Sequence, residues 1–103
     1  MFMVANRVFV APGWEEQFEE RFRKRAGRIE QQPGFVRMEV LRPVSEDTPY
    51  VVNTAWEDEA AFRSWIGSAD FKEAHANPLP KDAFSAEGKL EQYQSVVSAG
   101  RAD

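Results

Sequence analysis

The chain has 103 residues, 43% apolar and 29% charged, which suits one modest globular core and argues against a disordered or membrane-spanning chain. Without cysteine it forms no disulfide, thiolate metal site or cysteine nucleophile, and a net charge of −4 speaks against neutralising the phosphate backbone of a nucleic acid. Aromatic residues make up 13%, more than so small a core needs, so a subunit interface or a pocket for a flat apolar ligand is expected.

Residues 2–10 alternate, with Phe2, Val4, Asn6, Val8 and Val10 on one face and Met3, Ala5, Arg7 and Phe9 on the other. That period of two predicts a strand. Asn6 is the odd member of an apolar face. Either neighbouring backbone satisfies its amide, or it points a donor into a pocket. Pro12-Gly13 ends the strand, and Trp14, Phe18, Phe22, Arg25 and Ile29 recur at helical spacing. Early acidic and late basic residues along this stretch match the helix dipole. Pro33-Gly34 stops the helix; residues 35–42 then read as a strand, with Val36, Met38 and Val40 on one face. A polar turn at 45–49 leads into a third strand, Tyr50–Trp56, so the two form a hairpin.

Asp58 is an N-cap for a short helix burying Phe62, Trp65 and Ile66, and Gly67 breaks it. Ser68 caps a second short helix, in which Phe71 and His75 share a face. In one unbroken helix, ten residues at ~100° each would set Trp65 and His75 on different sides. A kink at Gly67-Ser68 lets both enter one cavity. Residues 77–88 read as a loop, 90–97 as the last strand and 98–103 as a frayed tail.

The order β-α-β-β-α-α-β predicts an α+β, ferredoxin-like split βαβ fold: one domain spanning residues 1–103, an antiparallel sheet with helices on one face. The uncovered face is expected to carry many apolar side chains, best explained by burial against a second subunit. The first residues lack the pattern of a secretory leader, and no apolar run reaches the length of a membrane span, so a cytoplasmic protein with no membrane partner is expected.

His75 is the sole histidine. One histidine does not make a zinc or non-haem iron centre, and no Gly-x-Ser-x-Gly, P-loop or Gly-x-Gly-x-x-Gly accompanies it. A haem needs one axial histidine and a large apolar slot, which this chain can supply. On these residues alone His75 remains either a surface histidine or a ligand.

Ala5-Asn6-Arg7, Pro33-Gly34-Phe35, Trp56 with Ala61-Phe62 and Trp65, and Phe71-Lys72-Glu73-Ala74-His75 together resemble the IsdG-type haem-degrading monooxygenases. These lie within the antibiotic-biosynthesis-monooxygenase-like, dimeric α+β barrel superfamily. The resemblance spans residues 2–97. It implies that His75 is the proximal haem ligand, that Asn6 is the distal hydrogen-bond donor in a dry pocket, and that Trp65 presses on the porphyrin and keeps it ruffled. It further implies that Phe22 and Phe71 line the slot and that Arg25, or Arg21, approaches a propionate. Haem would be cofactor and substrate together, with dioxygen and electrons from a separate donor or reductase, in a homodimer. The alternatives are a cofactor-independent monooxygenase acting on a polycyclic aromatic substrate, and a non-catalytic haem-binding dimer.

Overall fold

The computed structural model describes residues 1–25 and 28–101. Four antiparallel strands, β1 (Phe2–Val8), β2 (Phe35–Leu41), β3 (Tyr50–Trp56) and β4 (Lys89–Gln94), form one sheet in the order β2-β3-β1-β4. Helices α1 (Glu15–Lys24), α2 (Glu59–Ile66) and α3 (Ala69–Ala74) follow in the expected order, giving the ferredoxin-like α+β arrangement. No helix among the described residues is long and apolar enough to cross a membrane.

The register explains which side chains meet. Phe2 lies opposite Trp56, Val4 opposite Thr54 and Asn6 opposite Val52, so these six share the sheet face toward the helices. Phe2, Val4 and Trp56 pack there with Phe62 and Trp65 of α2 as the buried core. Trp56 is fully buried, with edge-on contacts to Phe35 (5.4 Å) and Phe62 (6.0 Å). Burying an aromatic side chain removes about 150–250 Å² from water, worth roughly 4–6 kcal/mol.

Asp58 caps α2 by accepting from the Ala61 amide (2.8 Å), and Ser68 caps α3 by accepting from Phe71 (3.1 Å). Between them Gly67 closes α2, so the break falls where expected. At the other end, Gly34 has φ +78 and hands its carbonyl to the Glu57 amide at 2.8 Å. A Cβ there would lie 2.5 Å from the Ala61 Cβ. Gly34→Ala therefore strains the backbone and pushes on α2. It is expected to cost about 2–4 kcal/mol in a urea unfolding series.

A second aromatic group, Phe18, Phe22 and Tyr50, seats α1 on the sheet, with ring centroids 5.1 and 4.9 Å apart. The Tyr50 hydroxyl donates to Glu19, which also accepts from Arg42 at 2.8 and 2.5 Å. Hydrogen bonds from Arg42 and Tyr50 hold the Glu19 carboxyl down at about 2, and burial, then the Glu19 partner, pushes Tyr50 up to about 12. A carboxyl depressed in the folded state stabilises above its unfolded value and loses that contribution as pH falls through the folded one. Relative to Glu19→Gln, the wild-type protein is expected to lose stability between about pH 4.5 and pH 2, read by denaturant melts across that window.

Several boundaries differ from the sequence reading. β1 ends at Val8, because Val10 pairs only with Phe84 and Ala11 donates to the Ala83 carbonyl, tying the strand exit to the 77–88 loop. That loop contains a 3-10 turn, Lys81–Ala83. α1 stops at Lys24, and Ile29 lies in a separate 3-10 turn, Ile29–Gln31; the part of the long helix expected at 26 and 27 is outside the described residues. A β-bulge between Phe35 and Arg37 takes Val36 off the face of Met38 and Val40, and Phe35 replaces it beside Trp56. β4 runs Lys89–Gln94 rather than to 97, leaving Val96 and Val97 almost fully exposed. Of the tail expected over 98–103, residues 102 and 103 lie outside the described residues.

The uncovered sheet face carries many apolar side chains, as expected, together with charged ones. Its cross-strand rows read Tyr93-Met3-Ala55-Arg37, Glu91-Ala5-Asn53-Glu39 and Lys89-Arg7-Val51-Leu41. The charged residues lie mostly on the edge strands β2 and β4, and Arg7 of β1 donates to Glu91 at 2.7 Å.

Candidate functional site

Helices α1 and α3, the end of α2 and the sheet floor enclose a cleft. It is lined by all six residues singled out from the sequence: Asn6, Phe22, Arg25, Trp65, Phe71 and His75. The sheet contributes Val4, Met38, Val52, Thr54 and Leu90 as a floor. This inner lobe measures about 130 Å³, and it adjoins an outer lobe of about 420 Å³ walled by Phe84 and Leu79. Asn6, Phe22, Arg25 and His75 border both lobes. Together the lobes reach the range of roughly 300–1,000 Å³ usual for small-molecule sites.

His75 is the C-cap of α3 rather than an interior helical residue. Its ring stacks on Phe71 at 4.1 Å, and Phe71 meets Trp65 edge-on at 5.4 Å, so three rings form one continuous tier above the floor. The His75 Nδ1 lies 2.8 Å from the Phe71 carbonyl oxygen. A carbonyl only accepts, so Nδ1 carries a proton toward it, and in the neutral tautomer so defined the lone pair is on Nε2. A neutral imidazole with one nitrogen anchored to backbone and the other unclaimed is the form that ligates a metal.

Asn6 stands on the floor, and no described residue hydrogen-bonds its amide, so the backbone-satisfied alternative does not hold. The side chain is exposed at the junction of the two lobes, in an open cleft rather than a dry pocket. Gly88 makes this corner possible: a Cβ there would sit 2.8 Å from the Arg7 carbonyl and 3.9 Å from Asn6 Oδ1.

Arg25 caps α1 with its guanidinium 5.2 Å from the Phe22 ring centroid. No carboxylate among the described residues lies within ion-pair distance of it, and burial, then the neighbouring Arg21, lowers its pKa from the ordinary value. Arg21 instead donates to the Asn77 carbonyl, fastening α1 to the segment after His75. Arg28 pairs with Glu73 (2.5 Å) and Asp70 (3.6 Å), and Gln32 donates to Asp70 (3.0 Å), clasping α3 from the other side. The described residues hold no group of three or more His, Cys, Asp or Glu side chains placed to bind a metal ion.

Sequence reasoning missed the floor. Thr54 and Val52 were legible from the alternation of Tyr50–Trp56, since positions two apart share a face. Leu90 and Met38 reach the cleft only through strand order and the β2 bulge.

Residues 1–77 match the model of the family described as antibiotic biosynthesis monooxygenase. The chain belongs to this family. A relative from Staphylococcus haemolyticus named heme oxygenase (staphylobilin-producing) is 39% identical over 96% of this chain and 93% of its own length. A Mycobacterium tuberculosis relative named heme oxygenase (mycobilin-producing) is 35% identical over 92% of this chain and 89% of its own. Among solved structures, the M. tuberculosis heme-degrader MhuD, with two hemes in its active site, superposes with a TM-score of 0.81 at 30% identity, over 97% of this chain and 100% of that one.

Proposed function

We propose that this family member binds haem through His75 and cleaves the porphyrin ring oxidatively, releasing its iron: a haem-degrading monooxygenase. The observation that carries the reading is His75, its Nδ1 tied to the Phe71 carbonyl and its Nε2 without a hydrogen-bond partner among the described residues, on a cleft whose lining is otherwise largely apolar. The names of the relatives point the same way.

Haem would bring the oxygen-activating chemistry itself, as cofactor and substrate at once, drawing on dioxygen and on electrons from a separate donor or reductase. The chain's own residues position it. His75 would hold the haem iron through its ring nitrogen. Phe22 and Phe71, which line the cleft, would give the ring system apolar contact, and the buried Trp65 would press on the porphyrin and keep it ruffled. Arg25, with no carboxylate partner among the described residues, would pair with a propionate. Asn6 offers an amide N–H on the floor, across the cleft from His75. Two chains pair through the uncovered face, where Tyr93 and Leu41 remain half exposed.

Hemin titrated into the purified protein is expected to give a saturable Soret band at one axially ligated haem per chain. Loss of that band with ferrous iron release on adding ascorbate or a reductase supports turnover. A stable spectrum would indicate a haem carrier, and no stoichiometric binding would favour the cofactor-independent oxygenase. Light scattering is expected to report twice the chain mass.

A further inference from the structure

Trp56 is fully buried, so its indole N–H requires a partner, and it finds one in Thr54 Oγ1 at 3.0 Å. A hydroxyl has one proton and two lone pairs. The indole occupies a lone pair, and no described residue accepts the Thr54 proton. Thr54 nevertheless lines the inner lobe. The hydroxyl is therefore anchored by a core residue on one side and left with an uncommitted donor beside the cavity. Accepting from the indole also polarises the hydroxyl and strengthens it as a donor.

The sheet places this donor beside Asn6. Val4 pairs with Thr54 and Asn6 with Val52, so Asn6 and Thr54 are diagonal neighbours on one face, about 7–8 Å apart at Cα. That separation suits two side chains converging on one small polar molecule.

We propose that Thr54, oriented by the buried Trp56 indole, is a second hydrogen-bond donor of the cleft floor. With Asn6 it addresses the small oxygen ligand or water held between the floor and the haem. Thr54 is a positioning group for that ligand, and Trp56 acts through it. The inference rests on the haem reading above.

The test uses fluoride, which binds ferric haem and reports hydrogen-bond donors near the sixth coordination position. Wild-type protein, Thr54→Ser, Thr54→Val and Trp56→Phe are loaded with hemin and titrated. Thr54→Ser keeps the hydroxyl and is expected to bind fluoride within about twofold of wild type. Thr54→Val is expected to weaken fluoride about five- to tenfold, the loss of one hydrogen bond, while hemin affinity stays within about twofold. Its fluoride charge-transfer band should also shift, which a purely structural role for Thr54 would not cause. Should Thr54→Val fail to fold, Trp56→Phe decides. It keeps the hydroxyl but removes its anchor, and is expected to weaken fluoride about two- to fivefold. Equal fluoride affinity in wild type and in the folded variant overturns the proposal. Failure of wild-type protein to take up hemin overturns the haem reading itself.

Discussion

His75→Ala is expected to leave a folded protein that no longer forms the axially ligated hemin complex. The side chain is exposed at the end of α3, and among the described residues its only hydrogen-bond partner is the Phe71 carbonyl within the same turn. Surface replacements away from such a core cost about 0.5 kcal/mol or less, so the melting temperature should barely move. Hemin affinity should fall on the order of 100-fold or more, because even indirect supports of a metal ligand are worth about 10–100-fold. What remains is apolar partitioning into the cleft, which gives a broadened Soret band without an imidazole-ligated signature. Added imidazole should restore part of that signature, since the alanine leaves room for it. Unchanged binding in His75→Ala would sink the haem assignment.

Asn6→Ala is the second large effect, and it should separate binding from turnover. No described residue depends on the Asn6 amide, so its removal leaves the sheet intact. Hemin uptake and the axial signature should survive, because His75 lies across the cleft on another element. Turnover with ascorbate or a reductase should drop about 10²–10³-fold, the usual cost of deleting one oriented donor where charge develops. Asn6→Asp is informative beside it. A carboxylate reverses the donor, so it should be no better than alanine despite its matching shape. Full turnover in Asn6→Ala would refute the role of Asn6.

Much of this was legible because it is local. A carboxylate or hydroxyl three residues ahead of an amide caps a helix wherever the chain sits, so Asp58 and Ser68 declared both short helices and Gly67 the break between them. Alternation in residues 2–10 likewise marked Asn6 as out of place, since period two assigns a face without knowledge of the partner strand. Other features were not local. The bulge that exchanges Val36 for Phe35 arises from pairing with β3. α1 stops at Lys24 although the hydrophobic stripe continues to Ile29. The apolar period reports which side is buried; whether one helix or two segments bury it depends on what packs there.

The site divides in the same way. Sequence alone determined the chemical inventory: one imidazole, one misplaced amide, an aromatic cluster, and two short helices separated by a glycine. Those follow from side-chain identity and from spacings of three or four residues. Tertiary structure decided the aim. Folding the His75 Nδ1 back onto the Phe71 carbonyl leaves Nε2 without a partner among the described residues, and strand order brings Leu90 and Asn6 to one floor. Burial of Trp56 turns Thr54 from a strand residue into an anchored donor. Each needs residues far apart in sequence to meet, or a backbone dihedral at a helix end, and neither is encoded in a spacing.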